Sequence, residues 1–222
     1  MPDTSLVIGF QYRGNLSLLV KEQHIKLNSS GLSGLQDGYR IFKNSANIGT
    51  VLVYFNEAGA STFFKQPIHE LFGESVSLDN FILRSELLIL EEQLCETKKN
   101  TDRIKFVEQF LISRIRQVIP DNLVLTAMAL IHRSKGTIRI KELMQHLNIS
   151  QSPLEKRFRQ VVSASSKKFS SIVRFKYTIQ NYNPQNSLTD LGYEAGFYDK
   201  AHFIKEFKNY TGETPEILFH KK

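Results

Sequence analysis

The chain has 222 residues, of which 41% are apolar and 23% are charged, a balance that allows one large or two small folded domains and excludes a largely disordered protein. Its single cysteine, Cys95, excludes an intramolecular disulfide framework and a cysteine-rich zinc site. No apolar run reaches the roughly 18 residues that span a bilayer, and the first residues lack the pattern of a secretory signal, so we expect a cytoplasmic protein with no membrane partner.

The formal net charge of +7 lies in the C-terminal half of the chain. Residues 121–222 hold 16 basic and 9 acidic residues, whereas residues 1–90 hold 7 and 8. Such an asymmetry is typical of a segment that meets a polyanion, either nucleic acid or an anionic membrane surface.

The first 76 residues predict a small antiparallel β-sheet domain. Runs rich in Val, Ile, Leu, Phe and Tyr alternate with turns rich in Gly and Asn, which tolerate positive φ. The predicted strands are 5–12, 16–27, 35–42 and 48–55, followed by a short helix over 62–72. The only histidines here are His24 and His69, so we expect neither a metal site nor a catalytic site. Cys95 lies beyond this domain in a helical pattern with no histidine near it in sequence, so we interpret it as a half-buried structural thiol.

Residues 77–119 predict a helical hairpin that links the two halves. The first helix runs from Leu78 to about Lys98, and Thr101 is the expected N-cap of the second, which ends before Pro120. Apolar residues at helical spacing mark one face of the second helix: Ile104, Val107, Leu111, Ile115 and Val118. The hairpin could pack within the chain or against a second copy, which makes a homodimer one interpretation.

Residues 120–222 contain a unit that occurs twice, at about 139–162 and 187–211. At an offset of 48, Ile140, Leu143, Leu147 and Ile149 are matched by Leu188, Leu191, Ala195 and Phe197. At an offset of 49, Leu154, Phe158 and Val161 are matched by Phe203, Phe207 and Tyr210. Asn148 and Gly196 stand at the expected turns and Ser150 and Asp199 at the expected N-caps. Each copy therefore predicts a helix-turn-helix.

The second helix of each unit has the residue types that read DNA. A helix fits the major groove, where each base pair shows a distinct pattern of donors and acceptors, and Lys and Arg also neutralise phosphates. The outward residues predicted to contact DNA are Gln151, Ser152, Glu155, Lys156 and Arg159 in the first unit and Lys200, Ala201, His202, Lys205 and Lys208 in the second. The alternative for each residue is a solvated helix face, and for His202 packing between helices.

Between the two units, residues 166–182 predict one long helix of about 25 Å. Lys167, Lys168 and Arg174 lie on it as further candidates for DNA contact. Adjacent major-groove segments on one face of DNA lie about 34 Å apart, so a single chain could read two consecutive grooves.

The C-terminal half resembles the AraC/XylS family of bacterial transcriptional regulators. The match rests on the pairs Gly196-Phe197, His202-Phe203 and Phe207-Lys208 and on Gly212, Thr214 and Pro215, all at the spacing of the family signature. Upstream, the first unit follows the family at Ile140, Leu143, Ser150, Leu154, Phe158, Lys168, Phe169, Arg174 and Phe175. Over residues 121–219 the resemblance implies a seven-helix domain with two helix-turn-helix units bridged by a long helix, double-stranded DNA as partner, and RNA polymerase contact in many members.

The chain departs from the family pattern at four positions. Ser152 stands where arginine is common, Ser163 where glycine is common, Ser166 where proline is common and Gly192 where alanine is usual. The serine at 152 removes a basic side chain, so the resemblance implies a first unit that binds more weakly or with a different preference.

The N-terminal half resembles, more loosely, the short β-rich sensor domain of a bacterial subgroup of the same family. Members of that subgroup usually have further residues before the point where this chain begins. Either the true start lies upstream or the sensor is partial, and a partial sheet would expose an unpaired edge that invites dimerisation.

The sequence thus predicts an α+β protein with a β-rich sensor or dimerisation domain (1–76), a helical hairpin linker (77–119) and an all-α DNA-binding domain (120–222). We expect a sequence-specific DNA-binding transcriptional regulator with no catalytic activity and no cofactor, controlled by a small-molecule effector or by dimerisation. One alternative is a regulator that acts through protein contacts with weak or nonspecific DNA binding. Another is a ligand-binding or enzymatic β-barrel with a vestigial basic domain.

Overall fold

The chain divides into two compact units in the computed structural model, which describes residues 3–64, 68–183, 187, 191–193, 195–197 and 199–220. The sheet unit contains residues 5–34 and 40–119. The helical unit begins at Pro120 and also includes Leu35–Tyr39 and residues 3 and 4.

In the described part of the sheet unit, seven strands form two antiparallel sheets. The strands are β1 (Val7–Arg13), β2 (Leu16–Val20), β3 (Gln23–Lys26), β4 (Ser30–Ser33), β5 (Ile41–Asn44), β6 (Gly49–Tyr54) and β7 (Ser75–Ser77). One sheet has the order β6-β1-β4-β7 and the other β3-β2-β5. In the first, Ile8 lies opposite both Leu32 and Val53, and β1 has an irregular register between Gln11 and Arg13.

The predicted strands 16–27 and 35–42 have the wrong bounds, and residues 35–40 of the second form no strand because β5 begins at Ile41. The run 16–27 forms two strands because Lys21 and Glu22 both have positive φ, the backbone of a tight two-residue hairpin turn. The sequence also predicted a turn between the strands 16–27 and 35–42, which is wrong at Ser30 and Gly31 because β4 runs there between β1 and β7. Pairing on both sides outweighs the weak strand propensity of Ser and Gly.

Three α-helices and two 3-10 turns complete the sheet unit. The helices are α1 (Ala60–Phe63), α2 (Arg84–Glu96) and α3 (Asn100–Ile112), and the turns are Ile68–Leu71 and Leu78–Asn80. The helix predicted over 62–72 is therefore two short pieces, and its residues 65–67 lie outside the described residues. The first hairpin helix begins at Arg84 instead of Leu78, and the N-cap of the second is Lys99 instead of Thr101.

The predicted apolar stripe on α3 is correct at Val107 and wrong at Ile104, and its residues Ile115 and Val118 lie beyond the end of the helix at Ile112. Arg103 and Val107 are buried, whereas Ile104 is 50% exposed. The Arg103 guanidinium donates to the carbonyls of Leu94 and Thr97, which are left without helical partners where α2 ends. Helix α2 contacts β1, so this hairpin packs within its own unit.

The described residues of the helical unit form six helices with defined bounds. They are α4 (Asn122–Arg133), α5 (Ile140–Leu147), α6 (Gln151–Val162), α7 (Ser166–Gln180), α8 (Lys200–Thr211) and α9 (Pro215–His220). Residues 191–193 are also helical. The core between them is formed by fully buried side chains: Val124, Ile131, Leu143, Leu154, Phe158, Phe169, Ile172, Phe203, Phe207 and Tyr210. Within the described part of the chain, no helix has the length and apolar character needed to cross a membrane.

The turn after α4 lies directly on α7. Gly136 has φ +78°, and a Cβ added there would lie 2.4 Å from the Ser170 carbonyl oxygen and 2.5 Å from the Arg174 nitrogen. Only glycine allows both this backbone conformation and this close approach. The turn thus fixes α4 and α5 against the bridging helix.

Candidate nucleic-acid interface

The two turns of the repeated unit adopt the predicted left-handed backbone. Asn148 has φ 48° and Gly196 has φ 73°, which confirms the predicted turn conformation at both positions. Asp199 is an N-cap as predicted, since its carboxylate accepts a hydrogen bond from the backbone N–H of His202 at 2.7 Å. Ser150 precedes α6 in an extended conformation without a side-chain capping bond. Leu188, the partner of Ile140 in the repeat, lies outside the described residues.

The first recognition helix is α6. It buries Leu154, Phe158 and Val162 against the core of the helical unit. Of the predicted DNA contacts, Gln151, Ser152, Lys156 and Arg159 are exposed on its other face. These four side chains are exposed to solvent, and two of them are positive. Nε of Arg159 also lies 3.9 Å from a carboxylate oxygen of Glu155.

Glu155 belongs instead to the junction between α6 and α7. Its carboxylate accepts hydrogen bonds from the backbone N–H of Ser166 at 3.2 Å and from the Ser166 hydroxyl at 2.6 Å. The side chain is only 19% exposed, and it satisfies a free N–H group at the start of α7. Its role at DNA stays a prediction, but its oxygens already have partners inside the protein.

The second recognition helix is α8. Phe203, Phe207 and Tyr210 are buried, and burial raises the pKa of the Tyr210 phenol well above its usual range, so this side chain stays neutral. The predicted contacts Lys200, Ala201, His202, Lys205 and Lys208 are all exposed. His202 also lies near its own helix, with Nε2 3.9 Å from a carboxylate oxygen of Glu206.

The three candidates on α7 differ in their surroundings. Lys167 is exposed. The ammonium of Lys168 lies 3.7 Å from the carboxylate of Asp37. Arg174 is 17% exposed, its guanidinium lies 3.1 Å from the Glu206 carboxylate, and it stacks over the Phe197 ring at 4.2 Å. Of these three residues, Lys167 alone has no carboxylate or aromatic partner among the described residues.

Sequence reasoning missed a second paired arginine, Arg157. Its Nε and Nη2 donate to the two carboxylate oxygens of Asp121 at 2.8 and 2.6 Å. Asp121 is also the N-cap of α4, accepting from the Val124 N–H at 3.1 Å. The Arg157 hydrogen bonds hold the pKa of Asp121 below its ordinary value. The sequence feature that could have indicated this pairing is the position of Arg157 directly before the core residue Phe158, at the edge of the buried face of α6.

The surface formed by the exposed faces of α6 and α8 and the start of α7 is rich in exposed basic side chains. The exposed basic residues on the two recognition helices and at the start of α7 are Lys156, Arg159, Lys167, Lys200, Lys205 and Lys208. This surface attracts polyanions. Over the described ranges, no group of three or more His, Cys, Asp or Glu side chains could hold a metal ion.

Comparisons with known proteins agree with this geometry. Residues 143–220 match a family described as a helix-turn-helix domain. A stretch of 90 residues is 36% identical to the Msm operon regulatory protein of Streptococcus mutans. That alignment covers 39% of this chain and 32% of the relative, so the chain spans about a third of the relative's length.

A solved structure has a similar fold across both halves. The structure of ToxT from Vibrio cholerae aligns with 99% of this chain and 91% of its own, with a TM-score of 0.52 and 14% sequence identity. The α+β fold, with antiparallel sheets followed by a helical C-terminal region, is thus the one predicted.

Proposed function

We propose that this chain, whose residues 143–220 match a helix-turn-helix domain family, is a sequence-specific DNA-binding transcription regulator of the AraC type. One observation carries the proposal. Two recognition helices, α6 before α7 and α8 after it, present exposed polar and basic side chains. The opposite face of each helix is buried in the core of the helical unit. A helix so exposed fits the major groove and offers side chains to base edges and phosphates.

The bridging helix suits two consecutive grooves. Helix α7 has 15 residues and is therefore about 22 Å long. With α6 before it and α8 beyond its end, it can separate two recognition helices by a distance of the order of one DNA turn, about 34 Å. We infer that one chain reads two successive major grooves through the predicted contacts other than Arg174, with domain boundaries near 1–76, 77–119 and 120–222.

The sheet unit supports a regulatory role. We infer that it binds a small-molecule effector or mediates a homodimer, and that the DNA-bound protein contacts RNA polymerase as many AraC-type regulators do. Exposed apolar side chains on the hairpin favour the dimer: Leu88, Ile89, Ile104 and Ile112.

The test is fluorescence anisotropy of the full chain with labelled duplex from upstream of its own gene, titrated against salt and scrambled competitor. Contact with about six phosphates predicts a slope near −5 in log K against log salt. A variant with alanine at Lys156, Arg159, Lys205 and Lys208 should reduce that slope by up to about 3.6 and abolish specific binding. Equal affinity for scrambled duplex would contradict sequence specificity.

A matched control removes the same charge from the sheet unit. Lys26, Lys43, Lys98 and Lys99 are also exposed, and alanine at these four positions should leave the salt slope nearly unchanged. If the recognition-helix variant still regulates normally in cells, the alternative of a regulator acting through protein contacts gains support.

A further inference from the structure

The two recognition helices carry a polar side chain at the same place in the repeat. Arg157 and Glu206 are separated by 49 residues, the offset that relates Leu154 to Phe203 and Phe158 to Phe207. Each lies directly before a phenylalanine that is buried in the core. The two positions therefore face the same side of their helices, at the border between the core and the exposed surface.

In the first unit this position is bound to α4. Arg157 makes two hydrogen bonds with Asp121, and Asp121 is simultaneously the N-cap that starts α4. The paired geometry of a guanidinium and a carboxylate restricts the angle as well as the distance between the two groups. The pair thus joins α6 to a helix that carries none of the predicted DNA contacts.

In the second unit the charge is reversed. Glu206 lies on α8, and its two carboxylate oxygens are 3.1 and 3.4 Å from Nη2 of Arg174 on α7. Both side chains are mostly buried, at 15% and 17% exposure. The guanidinium also covers the ring of Phe197, which precedes α8. This pair joins the second recognition helix to the bridging helix.

We propose that Arg157 and Glu206 are positioning residues that set the orientation of the recognition helices, and that Arg174 acts through Glu206 instead of contacting DNA. The proposal rests on the proposed function and deepens it. Side chains project from the helix axis, so a small change in the orientation of α6 or α8 moves their outer atoms relative to the base edges, where hydrogen bonds require specific distances and angles. The ion pairs therefore determine the sequence preference, whereas the exposed lysines determine the affinity for DNA of any sequence.

The test compares Glu206→Gln, Arg174→Gln and Arg157→Gln in the full chain. The probe is a duplex selected from a random-sequence library by the wild-type protein, with a scrambled duplex of equal length beside it. Each variant should lose at least about tenfold in affinity for the selected duplex, the cost of roughly one lost base contact. Its affinity for scrambled duplex and its salt slope should stay at the wild-type values, since no phosphate contact is removed.

Lys205→Gln is the matched control for direct contact. It lies next to Glu206 but is exposed, so it should weaken binding to both duplexes and reduce the salt slope by about 1. An Arg174→Gln variant that behaves like Lys205→Gln would overturn the proposal, because it would show Arg174 at a phosphate. Equal losses on both duplexes in the Glu206 variant would also overturn it.

A double-mutant cycle separates positioning from general damage to the fold. If Arg174 acts through Glu206, the double variant should lose no more specificity than either single variant, whereas independent roles would multiply the two losses. Thermal unfolding of each variant establishes that it is folded at the binding temperature. Should a glutamine variant unfold, Glu206→Asp and Arg157→Lys carry the same test, because each keeps its charge but not the pairing geometry.

The outcome for the proposed function can be recognised separately. If the wild-type chain selects no sequence from the library, the regulator function fails before any variant is measured. If it selects a sequence and the variants follow the contact control, only the positioning roles fail.

Discussion

Ser163 ends the first recognition helix in a conformation that suits glycine. Its φ is +70°, and its hydroxyl oxygen is buried with no hydrogen-bond partner among the residues that the structure describes. A left-handed backbone costs a residue with a Cβ about 1–2 kcal/mol, and a buried unpaired hydroxyl adds to this cost. The backbone at Ser163 is therefore strained. In the AraC/XylS family that this chain resembles, glycine is common at this position.

We expect Ser163→Gly to raise the free energy of unfolding by about 1 kcal/mol, after the greater flexibility of glycine in the unfolded chain is included. Denaturant unfolding measures it. Ser163→Ala is the control, since it removes the hydroxyl but keeps the strained backbone. Equal stabilisation by both variants would show that the hydroxyl, and not the backbone, is responsible.

Asp121 makes the stability of the helical unit depend on pH. The hydrogen bonds from Arg157 lower the pKa of Asp121 below its ordinary value of 3.8, so the folded protein favours the ionised carboxylate. The stabilisation is complete above that ordinary value and is lost as the pH falls through the lower folded-state pKa. Wild-type protein should lose melting temperature more steeply than Asp121→Asn between pH 5 and pH 2, measured by circular dichroism. Parallel curves would contradict this assignment.

At the scale of single residues, the sequence predicted which side chains are exposed better than it predicted their hydrogen-bond and ion-pair partners. The predicted contacts on α8 are exposed, as expected from the core positions that flank them. The partners of Glu155 and Arg174 could not be predicted, because Ser166 and Glu206 come next to them only when the helices pack. A charged residue at a helix border is read as solvated or DNA-binding until its neighbour on another helix is known.

Among the elements, the turn that follows α4 depends on a single residue type, glycine. Gly136 and Gly73 both have φ +78°, but Gly73 has no atom within 4 Å of an added Cβ, whereas Gly136 lies against the backbone of α7. The two glycines therefore separate the effect of backbone conformation from the effect of crowding.

We expect Gly73→Ala to cost about 1 kcal/mol of unfolding free energy and Gly136→Ala about 3 kcal/mol, because the second must also displace α7. Chemical denaturation of both variants is the measurement. Equal costs would mean that the turn moves away from α7 without resistance.

The elements themselves were predicted unevenly. Helices α6 and α8 follow a repeated apolar pattern with capping residues and turns, so their existence and faces could be predicted. The strands could not be bounded in the same way, since β4 consists of Ser, Gly, Leu and Ser and is held by its neighbours. Helix α3 shows a third case, in which a buried arginine that caps α2 turns the helix away from its most apolar face.

At the scale of the whole molecule, the hairpin has an apolar surface with no partner among the described residues. Ile89 on α2 is 59% exposed and Ile112 on α3 is 67% exposed. Contiguous exposed apolar side chains mark interaction surfaces in soluble proteins.

The double variant Ile89→Glu and Ile112→Glu should shift the protein towards monomer in sedimentation velocity, because a buried carboxylate without a partner opposes association. Gln93→Glu, an exposed position on α2, is the control and should leave the distribution unchanged. A wild-type protein that sediments as a monomer at all concentrations would contradict dimerisation through the hairpin.

The sequence by itself determined the class of fold, the repeated unit and the positive surface. These features follow from local periodicity, from turn residues such as Asn148 and Gly196, and from the charge balance of residues 121–222, all of which are written along one stretch of chain. Only the tertiary structure decided which charged groups remain free. The pairs of Arg157 with Asp121 and of Arg174 with Glu206 join residues 36 and 32 positions apart, and the packing of helices brings such distant groups together.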